Sequence, residues 1–239
     1  VIGIAGRGAR AVVGKVGRMD GTGMERMGKG RLWTEFVLFF VLAPMVVAVA
    51  LPPRWMFPAL FTVTAIGLVL LALTPGFRIS LLFRGLLRMS TWLVVLTGAL
   101  TLAMGYAIMS LTAPDALWLI VRRNPELMAM IALGYPVISA LPQEVVFRAL
   151  FFERYAAILP AGIGAQVGLN AAIFSWAHVM YWSWIVAGLT FAGGLLFAWC
   201  YRVRGNFPEA VVTHSIAGVM LFLVGMGVYF YSGNVQRPF

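Results

Sequence analysis

Charged side chains are scarce in this sequence. Only 11% of its 239 residues are Asp, Glu, Lys or Arg, against about 25% in soluble domains. The aqueous parts are too small for a separate soluble domain. There is one cysteine, Cys200, so no intrachain disulfide can form; it lies in an apolar run and is expected to pack there. The start shows no apolar core followed by a small-residue cleavage site, so no signal peptide is expected. The long apolar runs lack the alternation over about 10 residues that barrel strands need, which excludes a transmembrane β-barrel. No internal repeat of the kind common in transporters is visible, and the zinc signature His-Glu-x-x-His is absent.

What is abundant is apolar. Hydrophobic residues make up 62% of the chain and the mean hydropathy is +0.92. With about 20 residues per crossing, the length accommodates an all-α, polytopic membrane helical bundle of about seven transmembrane helices. Spans are expected near 34–51, 55–74, 91–111, 126 to as far as 160, 162–180, 184–201 and 208–231. Pro52-Pro53 and Pro75-Gly76 end the first two. Between spans two and three, Arg78, Arg84 and Arg88 sit among leucines at intervals that predict a short amphipathic helix over 77–88, lying at the membrane interface.

The chain divides accordingly. Residues 1–32 form a basic, glycine-rich flexible tail that attracts anionic lipid. Residues 33–125 hold accessory transmembrane helices and the interfacial helix, residues 126–231 a helical core, and residues 232–239 a short tail. The net charge of +10 does not indicate nucleic-acid binding, because Lys and Arg gather at segment ends. With the N-terminus inside, 14 of the 18 Lys and Arg fall on the inner side. That orientation, N-terminus cytoplasmic and C-terminus outside, follows the positive-inside rule for a membrane of the bacterial cytoplasmic type.

Three polar clusters interrupt the core. Gln143-Glu144-x-x-x-Arg148 lies in span four, Phe174-x-x-x-His178 in span five and His214-x-x-x-Gly218 in span seven. A charge at membrane depth costs about 2.5–3.5 kcal/mol on insertion scales, so it persists only where it is paired, hydrated or needed. Glu144 and Arg148, four apart, share a helix face and can neutralise each other. His178 and His214 are the chain's only histidines. A glutamate that can take a proton from water, with imidazoles that hold that water or a metal, is what a hydrolase requires. Of the six glutamates, Glu144 alone lies at depth beside a guanidinium and is expected to activate water. Gln143 would orient the water or a carbonyl. Two histidines with Glu144 could form a three-ligand zinc site with an open position, or hold water without metal.

In order and separation, these clusters resemble the three motifs of the CAAX-protease and bacteriocin-processing (CPBP, or Abi) family of intramembrane proteases: Glu-Glu-x-x-x-Arg, Phe-x-x-x-His and His-x-x-x-Asn or another small residue. The resemblance covers about residues 130–230. It implies proteolysis at or within the membrane, with Glu144, His178 and His214 catalytic and Gln143, Arg148, Phe174 and Gly218 supporting. Membrane lipid and a membrane-associated peptide or protein are the implied partners. Two departures stand out. Gln143 replaces the first Glu of the pair, which the family uses to activate water, and Gly218 stands where Asn would hold an oxyanion. Three functions follow from these residues: an intramembrane endopeptidase, a catalytically silent relative acting as a binding or immunity protein, and a small transporter with a polar path.

Overall fold

The structure is a computed structural model in which residues 28–230 are described. The basic tail before residue 28 and the C-terminal tail at 232–239 lie outside the described residues, and so do the termini on which the orientation bears. The described residues form helices and turns, with no strand among them.

Seven long helices carry the fold: α1 Lys29–Ala50, α2 Pro53–Ala72, α3 Thr91–Thr112, α4 Pro125–Arg154, α5 Ile163–Ala177, α6 Trp184–Arg202 and α7 Phe207–Val224. All except α5 are long and apolar enough to cross a membrane. The chain is a polytopic helical bundle. α5 has 15 residues, about 22 Å at about 1.5 Å each, which is short of the ~30 Å hydrocarbon core. It stops at Ala177 and turns at His178, where a span running to residue 180 is expected from sequence.

Local chemistry sets the helix ends. The Asn124 side chain accepts the Leu127 N–H at 3.0 Å and Pro125 opens α4, a start that costs no hydrogen bond because the first N–H has no helical partner. Asn206 caps α7 in the same way, accepting from the Glu209 N–H at 3.0 Å. α7 ends at Gly225, whose φ of 107° and close approach to the Ala116 carbonyl leave no room for a Cβ. α4 closes at Arg154, earlier than residue 160.

The stretch 77–88 is not the expected amphipathic helix. It forms two short 3₁₀ turns, Ile79–Phe83 and Leu86–Arg88, separated by Gly85 at φ 90°. The Asn206 amide donates to the Gly85 carbonyl at 3.0 Å, and a Cβ at Gly85 would run into that amide. A contact with the start of α7 therefore overrides the local helical spacing.

Two helices depart from α geometry where they meet the core. α1 carries a π-helical segment at Val37–Leu42, and α4 carries two, at Pro136–Ala140 and Val145–Leu150. Such segments loosen the backbone ladder and turn carbonyls towards neighbours. Val41 in the first accepts the Trp176 indole N–H at 3.0 Å, tying α1 to α5. Around these segments Phe36, Phe40, Phe147, Phe151 and Tyr155 pack ring against ring with centroids 5.2–5.8 Å apart.

Arg154 fastens the corner where α1, α2 and α4 meet. Its guanidinium is buried, donating to Glu35 Oε2 of α1 at 2.8 Å and to the Leu70 carbonyl of α2 at 2.9 Å. Arg31 reaches the other Glu35 oxygen at 2.8 Å, but its side chain is 66% exposed. Removing one partner of a buried pair strands the other, at about 3–5 kcal/mol, while an exposed pair contributes under about 1 kcal/mol. Arg154→Met should therefore destabilise the detergent-solubilised protein by several kcal/mol in denaturant unfolding, and Arg31→Gln by less than about 1 kcal/mol. Equal losses would show that Arg154 is not the fastening.

Candidate active site

α4, α5 and α7 bring the three sequence clusters together. Glu144 is fully buried, with both oxygens engaged. Oε1 lies 2.9 Å from His214 Nδ1 and Oε2 lies 3.1 Å from Arg148 Nε. Arg148 is equally buried, and its Nη1 donates to Asn170 Oδ1 at 2.5 Å and to the Phe147 carbonyl at 3.3 Å. Asn170 closes the loop by donating its own amide to the Phe147 carbonyl at 2.6 Å. That carbonyl belongs to the π-helical segment Val145–Leu150, which therefore supplies the acceptor the network needs. The guanidinium also sits over the Phe174 ring at 4.8 Å from its centroid and near Phe197 at 5.8 Å. A desolvated cation in this position gains about 2 kcal/mol.

Arg148 thus pairs with Glu144. Glu153, further along the same helix, accepts from the Tyr201 hydroxyl at 2.8 Å.

Hydrogen bonding fixes both imidazole tautomers. A carboxylate only accepts, so His214 Nδ1 carries the proton and Nε2 holds the lone pair. His178 Nδ1 lies 2.7 Å from the Phe174 carbonyl, which also only accepts, so His178 is held in the same form. Aromatic contacts lock the rings. Phe197 stacks on His214 at 4.7 Å and 11°, and Phe174 stands edge-on to both histidines, at 5.5 Å and 4.7 Å.

A cavity of about 880 Å³ opens beside these groups. Gln143, Phe174, His178, His214 and Gly218 line it together, and much of the rest of its wall is apolar side chains of α1, α2 and α3. Glu144 and Arg148 do not line it. The carboxylate lies behind His214, so it meets the cavity through the imidazole. Gln143 faces the cavity, and its amide nitrogen donates to Ser139 Oγ at 2.9 Å, which leaves its carbonyl oxygen to accept from a water.

Among the described residues no group of three or more His, Cys, Asp or Glu is arranged to hold a metal. With Glu144 committed to His214 and Arg148, only His178 and His214 offer free nitrogens. This donor set does not fit a three-ligand zinc site.

Sequence inspection missed two residues. Asn170 and Tyr135 stand at four-residue steps from motif residues, in the runs Asn170–Phe174–His178 and Tyr135–Ser139–Gln143. That spacing puts each on the motif's own helix face, and a polar side chain on that face was the available signal. Tyr135 brings its hydroxyl to 3.4 Å from His214 Nε2.

Fold and site together define a polytopic helical membrane protein with a buried carboxylate–imidazole pair at the edge of an apolar cavity. The sequence model of the family described as Rce1-like, type II CAAX prenyl endopeptidase Rce1-like, matches residues 125–220. This segment runs from the first residue of α4 to just beyond Gly218 in α7 and contains all three motifs. Over this segment the chain is similar to that family, in agreement with the CAAX-protease and bacteriocin-processing motifs it resembles. No curated protein and no solved structure matches the chain.

The buried pair carries a direct test. Arg148→Met leaves the Glu144 carboxylate uncompensated, at about 3–5 kcal/mol, whereas Glu144→Gln with Arg148→Met removes both charges. The double variant should unfold at higher temperature in detergent than Arg148→Met alone. A double variant no more stable than the single would mean that the two charges are not coupled.

Proposed function

We propose that this chain is an intramembrane endopeptidase that hydrolyses a peptide bond in a membrane-associated peptide or protein. The observation that carries it is the 2.9 Å contact between Glu144 and His214 Nδ1, in a ring that lines a cavity together with His178. In the proposed reaction a water is held between His214 and His178. His214 Nε2 takes its proton as the oxygen attacks the carbonyl carbon, and the Glu144 carboxylate stabilises the imidazolium that forms. The proton then passes to the leaving amine as the tetrahedral intermediate breaks its C–N bond. Glu144 acts through His214, and Gln143 positions the water through its free carbonyl oxygen. No step is routed through a metal. The apolar wall of the cavity suits a substrate that arrives from the bilayer, and the enzyme resides in a membrane of the bacterial cytoplasmic type with its N-terminus inside.

Gln143 itself favours one other reading, a silent relative that binds peptides without cutting them, because a carboxamide cannot accept a proton where the family has a carboxylate. Purified protein in liposomes, given a pool of farnesylated CAAX-type peptides, their unprenylated forms and single-span peptides, separates the two. Wild type should cleave at least one member, and His214→Gln and Glu144→Gln should each lower turnover by about 10²–10⁴-fold while thermal scans report an intact fold. Cleavage that survives both substitutions would contradict the mechanism. Binding without cleavage, with activity appearing only in Gln143→Glu, would mark the chain as the silent relative.

A further inference from the structure

We infer that Tyr135 donates the hydrogen bond that stabilises the oxyanion formed during peptide hydrolysis, and that Gly218 is glycine in order to seat its ring. The inference rests on the endopeptidase reading above and adds a residue to it. The Tyr135 hydroxyl lies 3.4 Å from His214 Nε2, the nitrogen with the free lone pair, and both line the same cavity. A water on that nitrogen attacks a carbonyl carbon about 3–3.5 Å away. The carbonyl oxygen then falls within hydrogen-bonding reach of the hydroxyl. Before substrate binds, the hydroxyl donates towards His214 Nε2. With substrate bound it turns to the oxygen that gains charge, with no proton transferred.

The ring is held in place for this. It stands edge-on to His214 with centroids 6.0 Å apart and edge-on to Phe222 at 6.0 Å. Its third support is the bare backbone of α7 at Gly218. A Cβ there would overlap Tyr135 Cε1 and Cζ and crowd the hydroxyl. Any larger residue at 218 would push the ring out of the cavity, so an amide side chain at 218 and this tyrosine exclude each other. Nearby, Ser139 accepts from Gln143 and the Tyr181 ring stacks on His178 at 6.1 Å, whereas the Tyr135 hydroxyl stands beside His214 Nε2. A phenol reaching in from α4 does the work that a side chain on α7 would otherwise do.

The test uses two readouts on the full chain in liposomes. For a substrate found in the peptide pool, Tyr135→Phe should lower kcat by about 10²–10³-fold, the range for losing one oxyanion donor, with KM little changed. Gly218→Ala should produce the same loss by displacing the ring, and the double variant should lose no more than either single one. The second readout needs no turnover. A peptide carrying a phosphinate in place of the scissile amide should bind wild type more tightly than the amide peptide. Tyr135→Phe should remove most of that preference and leave amide binding unchanged. A wild type that cleaves nothing but prefers the phosphinate through Tyr135 would overturn the endopeptidase reading and keep the donor. A Tyr135→Phe variant with unchanged kcat, or unchanged phosphinate preference, would overturn the donor alone. Loss in Gly218→Ala without loss in Tyr135→Phe would likewise overturn it and leave Gly218 a packing residue.

Discussion

A carboxylate and a guanidinium buried together dictate the shape of the core. Neither Glu144 nor Arg148 reaches solvent, and a lone buried charge would cost several kcal/mol, so every neighbour is arranged around the pair. Arg148 Nη1 needs acceptors, and the π-helical segment of α4 with Asn170 of α5 supplies them. Its flat face needs covering, and Phe174 covers it. Glu144 needs a second donor, and His214 of α7 provides it. Three helices are thereby held in register by one charge pair, and the same contacts fix the tautomer of an imidazole at the cavity edge. Stability and chemistry draw on one set of atoms.

Much of this was legible in the sequence. Apolar runs ending at proline and glycine marked the spans, and the three motifs named Glu144, Arg148, Phe174, His178, His214 and Gly218 as residues that would meet. Their depth was harder to read, because His178 and His214 stand at different distances along their helices. The structure places His178 at the C-terminal cap of α5 and not inside it. No breaker in the sequence announces that end. Which way each polar group faces was also hidden. Gln143 and Glu144 are neighbours in sequence, yet one lines the cavity and the other lies behind His214. That choice is made by the π-helical turns, which depend on partners in other helices. The 77–88 stretch shows the same limit: its arginine spacing suits a helix, but Asn206, 121 residues away from Gly85, decides otherwise.

The departures from the family's motifs make physical sense together. A carboxamide at 143 cannot serve as a base, and in the proposed reaction that duty falls to an imidazole backed by the buried carboxylate of the next residue. A glycine at 218 offers no amide, and the space it vacates is filled by a tyrosine ring with its hydroxyl beside His214. Each apparent loss is matched by a group on another helix.

The central claim is that the buried carboxylate holds His214 with its proton on Nδ1 and its lone pair facing the cavity. The chain has only two histidines, so ¹⁵N NMR of histidine-labelled protein in lipid nanodiscs reads them directly, with His178→Gln assigning the signals. Both rings should show a protonated Nδ1 and an unprotonated Nε2, and Glu144→Leu combined with Arg148→Met, which removes both charges of the pair, should disturb His214 while leaving His178 as it was. A wild-type His214 carrying its proton on Nε2, or one indifferent to the loss of Glu144, would contradict the account.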